Sequence, residues 1–98
     1  VDDLIDTGRT IVKAAEALKA QGAVGVVVAA THAVFSPPAV EILQSDFIDQ
    51  VVVTDTLPIP EDKRWDRLTI LPIAPLIARA IHEVFEDGSV TSMFDGAA

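Results

Sequence analysis

The sequence predicts an α/β domain with a mainly parallel sheet, and two observations carry that prediction. The runs GVVVAATH and DQVVVTDT are apolar and β-branched without polar alternation, which is typical of strands covered on both faces. Patterns of helical period stand before, between and after the predicted strands. Strands that alternate with helices favour right-handed crossovers and hence the α/β class.

The elements of the first half follow in order. Residues 2–10 are predicted to form a loop, and an amphipathic helix of about three turns starts at Thr10 and ends before Gly22. GVVVAATH is the first predicted strand. SPPAVEILQS predicts a short helix with Ser36 as its N-cap residue. A βα unit of this kind starts with an apolar strand, and only Val1 precedes the loop, so we expect a domain truncated at its amino end.

In the second half, DQVVVTDT predicts another strand, and residues 57–67 form a loop rich in proline and charge. A third strand is predicted over residues 68–74. Residues 75–86 predict the longest helix, with its apolar residues on one face. These are Leu76, Ile77, Ala80, Ile81, Val84 and Phe85. No repeat or linker interrupts the order, so we expect one domain over residues 1–98.

Composition restricts the functional classes. The 98 residues are 50% hydrophobic with a mean hydropathy of +0.41, which suits one compact domain. A net charge of −8 argues against binding to nucleic acid or to an anionic membrane. No cysteine is present, so disulfides and thiolate metal sites are excluded, and a cytoplasmic location is compatible with the composition. No apolar run approaches the roughly 20 residues of a membrane helix.

The stretch VDDLIDTGRT, residues 1–10, carries the candidate chemistry. Gly8 permits a positive φ, Thr7 and Thr10 offer hydroxyl groups, and successive N–H groups at a helix start can hold a phosphate dianion. Asp2 and Asp3 can accept hydrogen bonds from sugar hydroxyls or hold Mg²⁺. Aspartate and threonine are also common as caps and turn residues, so composition alone leaves both interpretations open.

VDDLIDTGRT resembles the phosphoribosyl-binding motif of type I phosphoribosyltransferase folds: a strand end, two acids, a spacer and Asp-Thr-Gly-x-Thr. The segments AATHAVFSPPAVEIL, VVVTDTLPIPEDK, LTILPIAPLIARAIHEVF and EDGSVTSMFDG are similar, in order and spacing, to the carboxyl-terminal domain of ribose-phosphate diphosphokinases. The resemblance covers essentially the whole chain. It implies a Rossmann-like, three-layer domain, with the ATP-binding part of the enzyme upstream.

The resemblance also implies a function. These enzymes transfer the diphosphoryl group of ATP to ribose 5-phosphate, giving phosphoribosyl diphosphate and AMP for nucleotide biosynthesis, with Mg²⁺ as cofactor. By the same resemblance, Asp2 and Asp3 would contact the ribose hydroxyls, and Asp6, Thr7, Gly8, Arg9 and Thr10 would cradle the 5-phosphate. The catalytic residues would lie upstream, so we expect this chain alone to be inactive. Another phosphoribosyltransferase, or a non-catalytic regulatory subunit associated with the synthetase, stays open as an alternative.

Two further parts of the chain are singled out by the resemblance. Arg9 stands where the family usually has a second glycine, and it either adds a cationic contact, points outward, or strains the loop if a positive φ is needed there. Ser89 and Phe94 match positions of an allosteric site at a subunit interface, with phosphate and ADP as effectors. The alternative for this tail is an edge strand. By analogy we expect a homo-oligomer, a hexamer.

Each of the other candidate residues has a structural interpretation as well as a functional one. His32 follows a strand, where hydrogen bonding that shapes the loop is favoured over lining a site. Asp55 and Thr56 lie at another strand end, where a turn and a contact near the sugar are equally plausible. Trp65 in KRWDR indicates loop packing or an oligomer contact more than a nucleotide platform. His82 is predicted to be a surface residue.

Overall fold

The computed structural model describes residues 1–86. Four parallel strands form one sheet in the order β1-β2-β3-β4. The strands are β1 (Asp2–Ile5), β2 (Val27–Ala33), β3 (Gln50–Thr54) and β4 (Leu68–Leu71), and the helices are α1 (Arg9–Ala20), α2 (Ala39–Leu43) and α3 (Ala74–Phe85). The predicted α/β class with a parallel sheet is therefore confirmed.

The start of the chain differs from the prediction, because Asp2–Ile5 is a strand and not part of a loop. It pairs in parallel with β2, with Asp2 opposite Ala30 and Ile5 opposite Ala33. The two leading acids thus stand on a strand that the chain does contain. The prediction failed because VDDLI lacks a β-branched run, so pairing with the neighbouring strand, more than local pattern, decides its conformation.

Helix α1 ends as its sequence predicts. Gly22 has a φ of 103°, which a residue without a Cβ adopts at little cost. The Gly22 N–H donates to the Lys19 carbonyl at 3.1 Å, and the Ala23 N–H donates to the Leu18 carbonyl at 3.0 Å. These two bonds form a Schellman motif, which satisfies carbonyls that the helix leaves open.

Helix α2 starts differently from the prediction. Pro38 occupies the N-cap position, and no side chain caps the helix. Ser36 contributes its backbone carbonyl, which accepts from the Ala39 N–H at 2.8 Å. The prediction of Ser36 as N-cap was wrong, because the helix begins at Ala39 and Pro38, which has no side-chain acceptor, takes the N-cap position.

The core lies on one face of the sheet, where α1 and α2 pack against the strands and the loop of residues 57–67. Its largest fully buried side chains are Ile5, Phe35, Leu43, Ile48, Val51 and Val53. The loop holds a turn of 3-10 helix at Glu61–Lys63 and packs Trp65 against Phe35 with ring centroids 5.7 Å apart. Strand β4 ends at Leu71, short of the prediction, because Pro72 has no N–H for the ladder.

The opposite face of the sheet is open in the part of the chain that the structure describes. Val27, on that face of β2, is 64% exposed. None of the α3 residues is buried, and most of its apolar stripe is exposed within residues 1–86. The expectation that the strands are covered on both faces is therefore wrong for residues 1–86, which form two of the three layers that the resemblance implies. Within these residues no helix is long and apolar enough to cross a membrane.

Candidate functional site

A cleft of about 260 Å³ lies between the carboxyl end of β1 and the start of α1. It brings together all the residues of the predicted phosphoribosyl site except Asp3. Its lining residues are Asp2, Leu4, Asp6, Thr7, Gly8, Arg9, Thr10 and Ile11. The chain thus folds the predicted motif around a single cavity at the carboxyl edge of a parallel sheet, where α/β proteins place their ligands.

Gly8 forms the turn from the strand to the helix. It is the N-cap residue of α1, with a φ of 80° and a ψ of 2°, in the left-handed region that favours glycine. A Cβ at this position would lie 2.9 Å from Leu43 Cδ2, closer than side chains tolerate. The turn therefore needs glycine both for its backbone conformation and for its close approach to α2.

The start of α1 presents backbone donors to the cleft. No side chain of residues 1–86 caps this helix, and its first backbone bond runs from the Val12 N–H to the Gly8 carbonyl at 3.0 Å. The N–H groups of Arg9, Thr10 and Ile11 thus have no intrahelical acceptor. With the helix dipole behind them, such groups form a binding site for an anion.

The acids of the motif do not share one environment. Side chains alternate along a strand, so Asp2 and Leu4 line the cleft while Asp3, between them, does not. Asp6, beyond the strand, lines the cleft as well. The Asp3 N–H donates to Asp2 Oδ1 at 2.8 Å, and this bond lowers the pKa of the Asp2 carboxyl from its ordinary value. Asp2 is therefore ionised at neutral pH and accepts hydrogen bonds only.

Arg9 is the first helical residue of α1 and the one cation among the residues that line the cleft. Among residues 1–86, Phe35 is the one residue other than glycine with a positive φ, so Arg9 adopts an ordinary helical backbone. The alternative in which arginine strains the loop is wrong. Arg9 also makes no ion pair within residues 1–86, where the one salt bridge joins Lys19 and Asp49 at 3.5 Å.

The residues at the ends of β2 and β3 hold the strand ends together. His32 Nδ1 lies 2.8 Å from Thr56 Oγ1, and Thr54 Oγ1 donates to the Thr31 carbonyl at 2.7 Å. Asp55 Oδ1 accepts from the Ile73 N–H at 2.8 Å, which ties β3 to the start of α3. None of these residues lines the cleft. Their hydrogen bonds shape the loops, which is the role that the sequence favours for His32.

The basic run of the long loop also has structural partners. Lys63 Nζ donates to the Phe35 carbonyl at 3.1 Å, and Arg64 donates to the Ile59 carbonyl from both Nε and Nη2, at 3.0 and 2.9 Å. Arg67 Nη1 donates to the Ile48 carbonyl at 3.1 Å. With Trp65 packed on Phe35, the run closes the loop over the core, which agrees with loop packing. His82 is exposed, as predicted.

The sequence analysis did not identify two of the residues that line the cleft. Two other residues that it did predict lie outside residues 1–86. Leu4 and Ile11 line the cleft through their place on β1 and on α1. Assigning Asp2–Ile5 to a strand would have identified Leu4, because it shares a face with Asp2. The predicted allosteric residues Ser89 and Phe94 lie outside residues 1–86.

The fold and the cleft define an α/β domain in which a glycine turn leads from a strand end to open helix amides. A family model described as the phosphoribosyl synthetase-associated domain matches residues 1–95. The chain belongs to this family.

Named relatives agree with this assignment. The chain is 60% identical over 95 residues to a ribose-phosphate pyrophosphokinase of Bifidobacterium longum, covering 97% of this chain and 28% of the relative. It is 53% identical over 98 residues to that of Mycobacterium leprae, covering 100% of this chain and 30% of the relative. The chain thus spans less than a third of these relatives.

A solved structure shows the same fold. The crystal structure of phosphoribosylpyrophosphate synthetase from Mycobacterium smegmatis matches with a TM-score of 0.81 and 53% sequence identity. The match covers 89% of this chain and 29% of that one. The resemblance to ribose-phosphate diphosphokinases is therefore confirmed by sequence and by structure.

Proposed function

We propose that the cleft binds ribose 5-phosphate and that the chain supplies the acceptor site of a ribose-phosphate diphosphokinase. The whole enzyme transfers the diphosphoryl group of ATP to this acceptor, giving phosphoribosyl diphosphate and AMP. The observation that carries the proposal is the glycine turn of Gly8, which aims the uncapped start of α1 into a cleft lined by the predicted motif. The pyrophosphokinase names of the relatives favour this reaction over transfer of the sugar to a base.

The site works by positioning. The helix amides and the Thr7 and Thr10 hydroxyls hold the 5-phosphate. Asp2, the first residue of β1, also lines the cleft, and its ionised carboxylate accepts hydrogen bonds from ribose hydroxyls. Anchoring both ends of the sugar fixes the anomeric hydroxyl relative to the diphosphate donor, which removes much of the entropic cost of the reaction.

Mg²⁺ fits this site only if the protein supplies some of its ligands and the substrate and water supply the others. No group of three or more histidine, aspartate and glutamate side chains in residues 1–86 is placed to hold a metal. Mg²⁺ often takes one or two protein carboxylates and completes its shell with substrate oxygens and water. Asp2 and Asp6 are the carboxylates available in the cleft. When bound, Mg²⁺ would offset the negative charge shared by the ligand and these two acids.

The remaining parts of the proposal extend beyond residues 1–86. ATP as donor, phosphate and ADP as effectors through Ser89 and Phe94, a hexameric assembly and a cytoplasmic location are implied by the family resemblance. Residues 1–86 support the proposal of the acceptor site and do not bear on its other parts.

Calorimetric titration with ribose 5-phosphate tests the acceptor site. We expect saturable binding that is lost with ribose, which lacks the phosphate. Arg9→Gln removes the one cation of the cleft and should weaken binding about tenfold to a hundredfold, since charge-assisted bonds to phosphate are worth about 1.5–3 kcal/mol. Lys13→Gln is the matched control, because Lys13 is exposed on the same helix and lies outside the cleft. Equal affinity for ribose and ribose 5-phosphate would contradict the proposal.

A second assay separates acceptor binding from catalysis. Incubation of the 98-residue chain with ATP, Mg²⁺ and ribose 5-phosphate should form no AMP if the chain supplies only the acceptor site. The intact enzyme that contains this sequence should form AMP and phosphoribosyl diphosphate. AMP formation by the 98-residue chain would show that the donor site also lies within it.

A further inference from the structure

His32 is an exposed histidine whose ring is held in one orientation. Its Nδ1 lies 2.8 Å from Thr56 Oγ1. The turn that carries Thr56 is itself anchored at Asp55. The Asp55 N–H donates to the Leu71 carbonyl at 3.2 Å, and Asp55 Oδ1 accepts from the Ile73 N–H at 2.8 Å. Ordering an exposed side chain costs conformational entropy that burial does not offset here. What the fixed orientation provides is a defined direction for the second ring nitrogen, Nε2.

The distances around Thr56 Oγ1 assign the tautomer of His32. The hydroxyl carries one proton, and its possible acceptors are His32 Nδ1 at 2.8 Å, the Thr31 carbonyl at 3.4 Å and Thr54 Oγ1 at 3.5 Å. Thr54 already donates to the Thr31 carbonyl at 2.7 Å. Only the short contact has the ordinary length of a hydrogen bond from a hydroxyl, so Thr56 donates to Nδ1 and the ring proton lies on Nε2. Within residues 1–86 Nε2 has no hydrogen-bond partner, so it offers a free donor.

Strand pairing places this donor beside the candidate cleft. His32 lies opposite Leu4 in the parallel ladder of β1 and β2, and Leu4 lines the cleft. Opposite residues of a sheet share a face, and neighbouring strands are about 4.8 Å apart. His32 does not line the cleft itself, but it stands next to the cleft wall at the carboxyl edge of the sheet, where α/β proteins bind their ligands. A ligand that extends from the cleft over the end of β2 therefore reaches His32.

We propose that His32 Nε2 donates a hydrogen bond to the sugar of the acceptor bound in the cleft, and that Thr56 is the residue that positions the ring. This inference rests on the proposed binding of ribose 5-phosphate and adds a contact from β2 to it. The phosphate takes the amides at the start of α1, and the ionised Asp2 carboxylate only accepts hydrogen bonds. A sugar hydroxyl both donates and accepts. A donor at His32 therefore complements the carboxylate of Asp2 in the recognition of the sugar.

Calorimetric titration of the intact enzyme that contains this sequence, with ribose 5-phosphate as ligand, tests the contact. His32→Asn keeps a polar atom at the place of Nδ1, and so keeps the link to Thr56, but it has no atom at the place of Nε2. His32→Gln carries its amide nitrogen at the place of Nε2 and loses the link. We expect His32→Asn to weaken binding about three- to tenfold and His32→Gln to weaken it less. A residue that only shapes the loop gives the reverse order. That order, or no change in either variant, would overturn the proposal.

Two further comparisons identify the group that His32 contacts and the role of Thr56. Methyl phosphate, which has no sugar, should bind the His32→Asn variant as well as the original enzyme, and an equal loss with both ligands would assign His32 to the phosphate and overturn the proposal. Thr56→Val removes the hydroxyl and should weaken the binding of ribose 5-phosphate, whereas Thr56→Ser keeps the hydroxyl and should preserve it. A loss in both Thr56 variants, or in neither, would overturn the positioning role.

The titrations also separate the inference from the proposed function on which it rests. If the original enzyme does not bind ribose 5-phosphate, the proposed function is refuted and the inference with it. If the original enzyme binds ribose 5-phosphate and His32→Asn binds it equally well, the inference alone is refuted.

Discussion

Gly8 is constrained twice, by its φ of 80° and by the 2.9 Å that would separate a Cβ from Leu43 Cδ2. Gly22 shares only the first constraint, because its φ is 103° and no atom lies within 4 Å of its Cβ position. Gly22→Ala should therefore lower the free energy of unfolding by about 1 kcal/mol, and Gly8→Ala by about 2 kcal/mol or more. Urea unfolding of both variants measures the difference. Equal losses would show that Leu43 moves aside freely.

Asp49 makes stability depend on pH through its contacts with the entry to β2. The Val26 N–H donates to Asp49 Oδ2 at 2.7 Å and, with the smaller contribution of Lys19, lowers the pKa of Asp49 below its ordinary value. A carboxyl whose folded-state pKa is lowered stabilises the fold above its unfolded pKa of about 3.9. That stabilisation is lost as pH falls from there through the folded-state pKa.

Asp49→Asn should therefore reduce stability at pH 7 and flatten the decline below about pH 4. Thermal unfolding between pH 2 and pH 7 measures both effects. Asp46→Asn is the control, since Asp46 forms no side-chain hydrogen bond or ion pair within residues 1–86. A decline as steep in Asp49→Asn as in the original chain would assign the acid sensitivity to other carboxyls.

At the scale of the element, α2 depends on a backbone carbonyl where its sequence indicates a side-chain cap. Ser36 accepts from the Ala39 N–H through its carbonyl, which every residue possesses. Ser36→Ala should therefore change the free energy of unfolding by less than about 0.5 kcal/mol, whereas loss of a true N-cap costs about 1 kcal/mol. Chemical denaturation distinguishes the two. A loss of about 1 kcal/mol would restore the hydroxyl as the cap.

The elements that periodicity predicts correctly are those whose own residues specify them. The β-branched runs identify β2 and β3, and Gly22 identifies the end of α1. Strand β1 was not predicted, because two adjacent acids interrupt the alternation of apolar and polar residues that is typical of a strand. Its conformation depends on its pairing with β2. Because β1 was not predicted, part of the geometry of the site was not predicted either. The motif identified the loop residues, whereas the separation of Asp2 from Asp3 and the position of Leu4 depend on strand geometry.

At the scale of the whole fold, the decisive feature of residues 1–86 is a parallel sheet with one covered face. Parallel sheets are almost always covered on both faces, because the crossover helices that connect their strands pack on both. Here α1 and α2 cover one face, and α3, with Phe85 84% exposed, covers neither. The cooperative unit of residues 1–86 is thus the sheet with its two packed helices. Helix α3 stands outside this unit, held by local contacts such as the bond from Ile73 to Asp55.

Because α3 stands outside the cooperative unit, an alanine-to-glycine substitution should affect unfolding differently in α3 and in α1. Ala78→Gly in α3 lowers helix propensity by about 1 kcal/mol at an exposed position, so it should melt part of α3 and leave the unfolding midpoint of the sheet unchanged. Ala15→Gly in α1 carries the same propensity cost and removes a methyl group from the core, where Ala15 is buried, so it should lower that midpoint. Circular dichroism reports the helix content, and Trp65 fluorescence reports the core, because Trp65 packs on Phe35. Equal shifts of the fluorescence midpoint would mean that α3 unfolds together with the sheet.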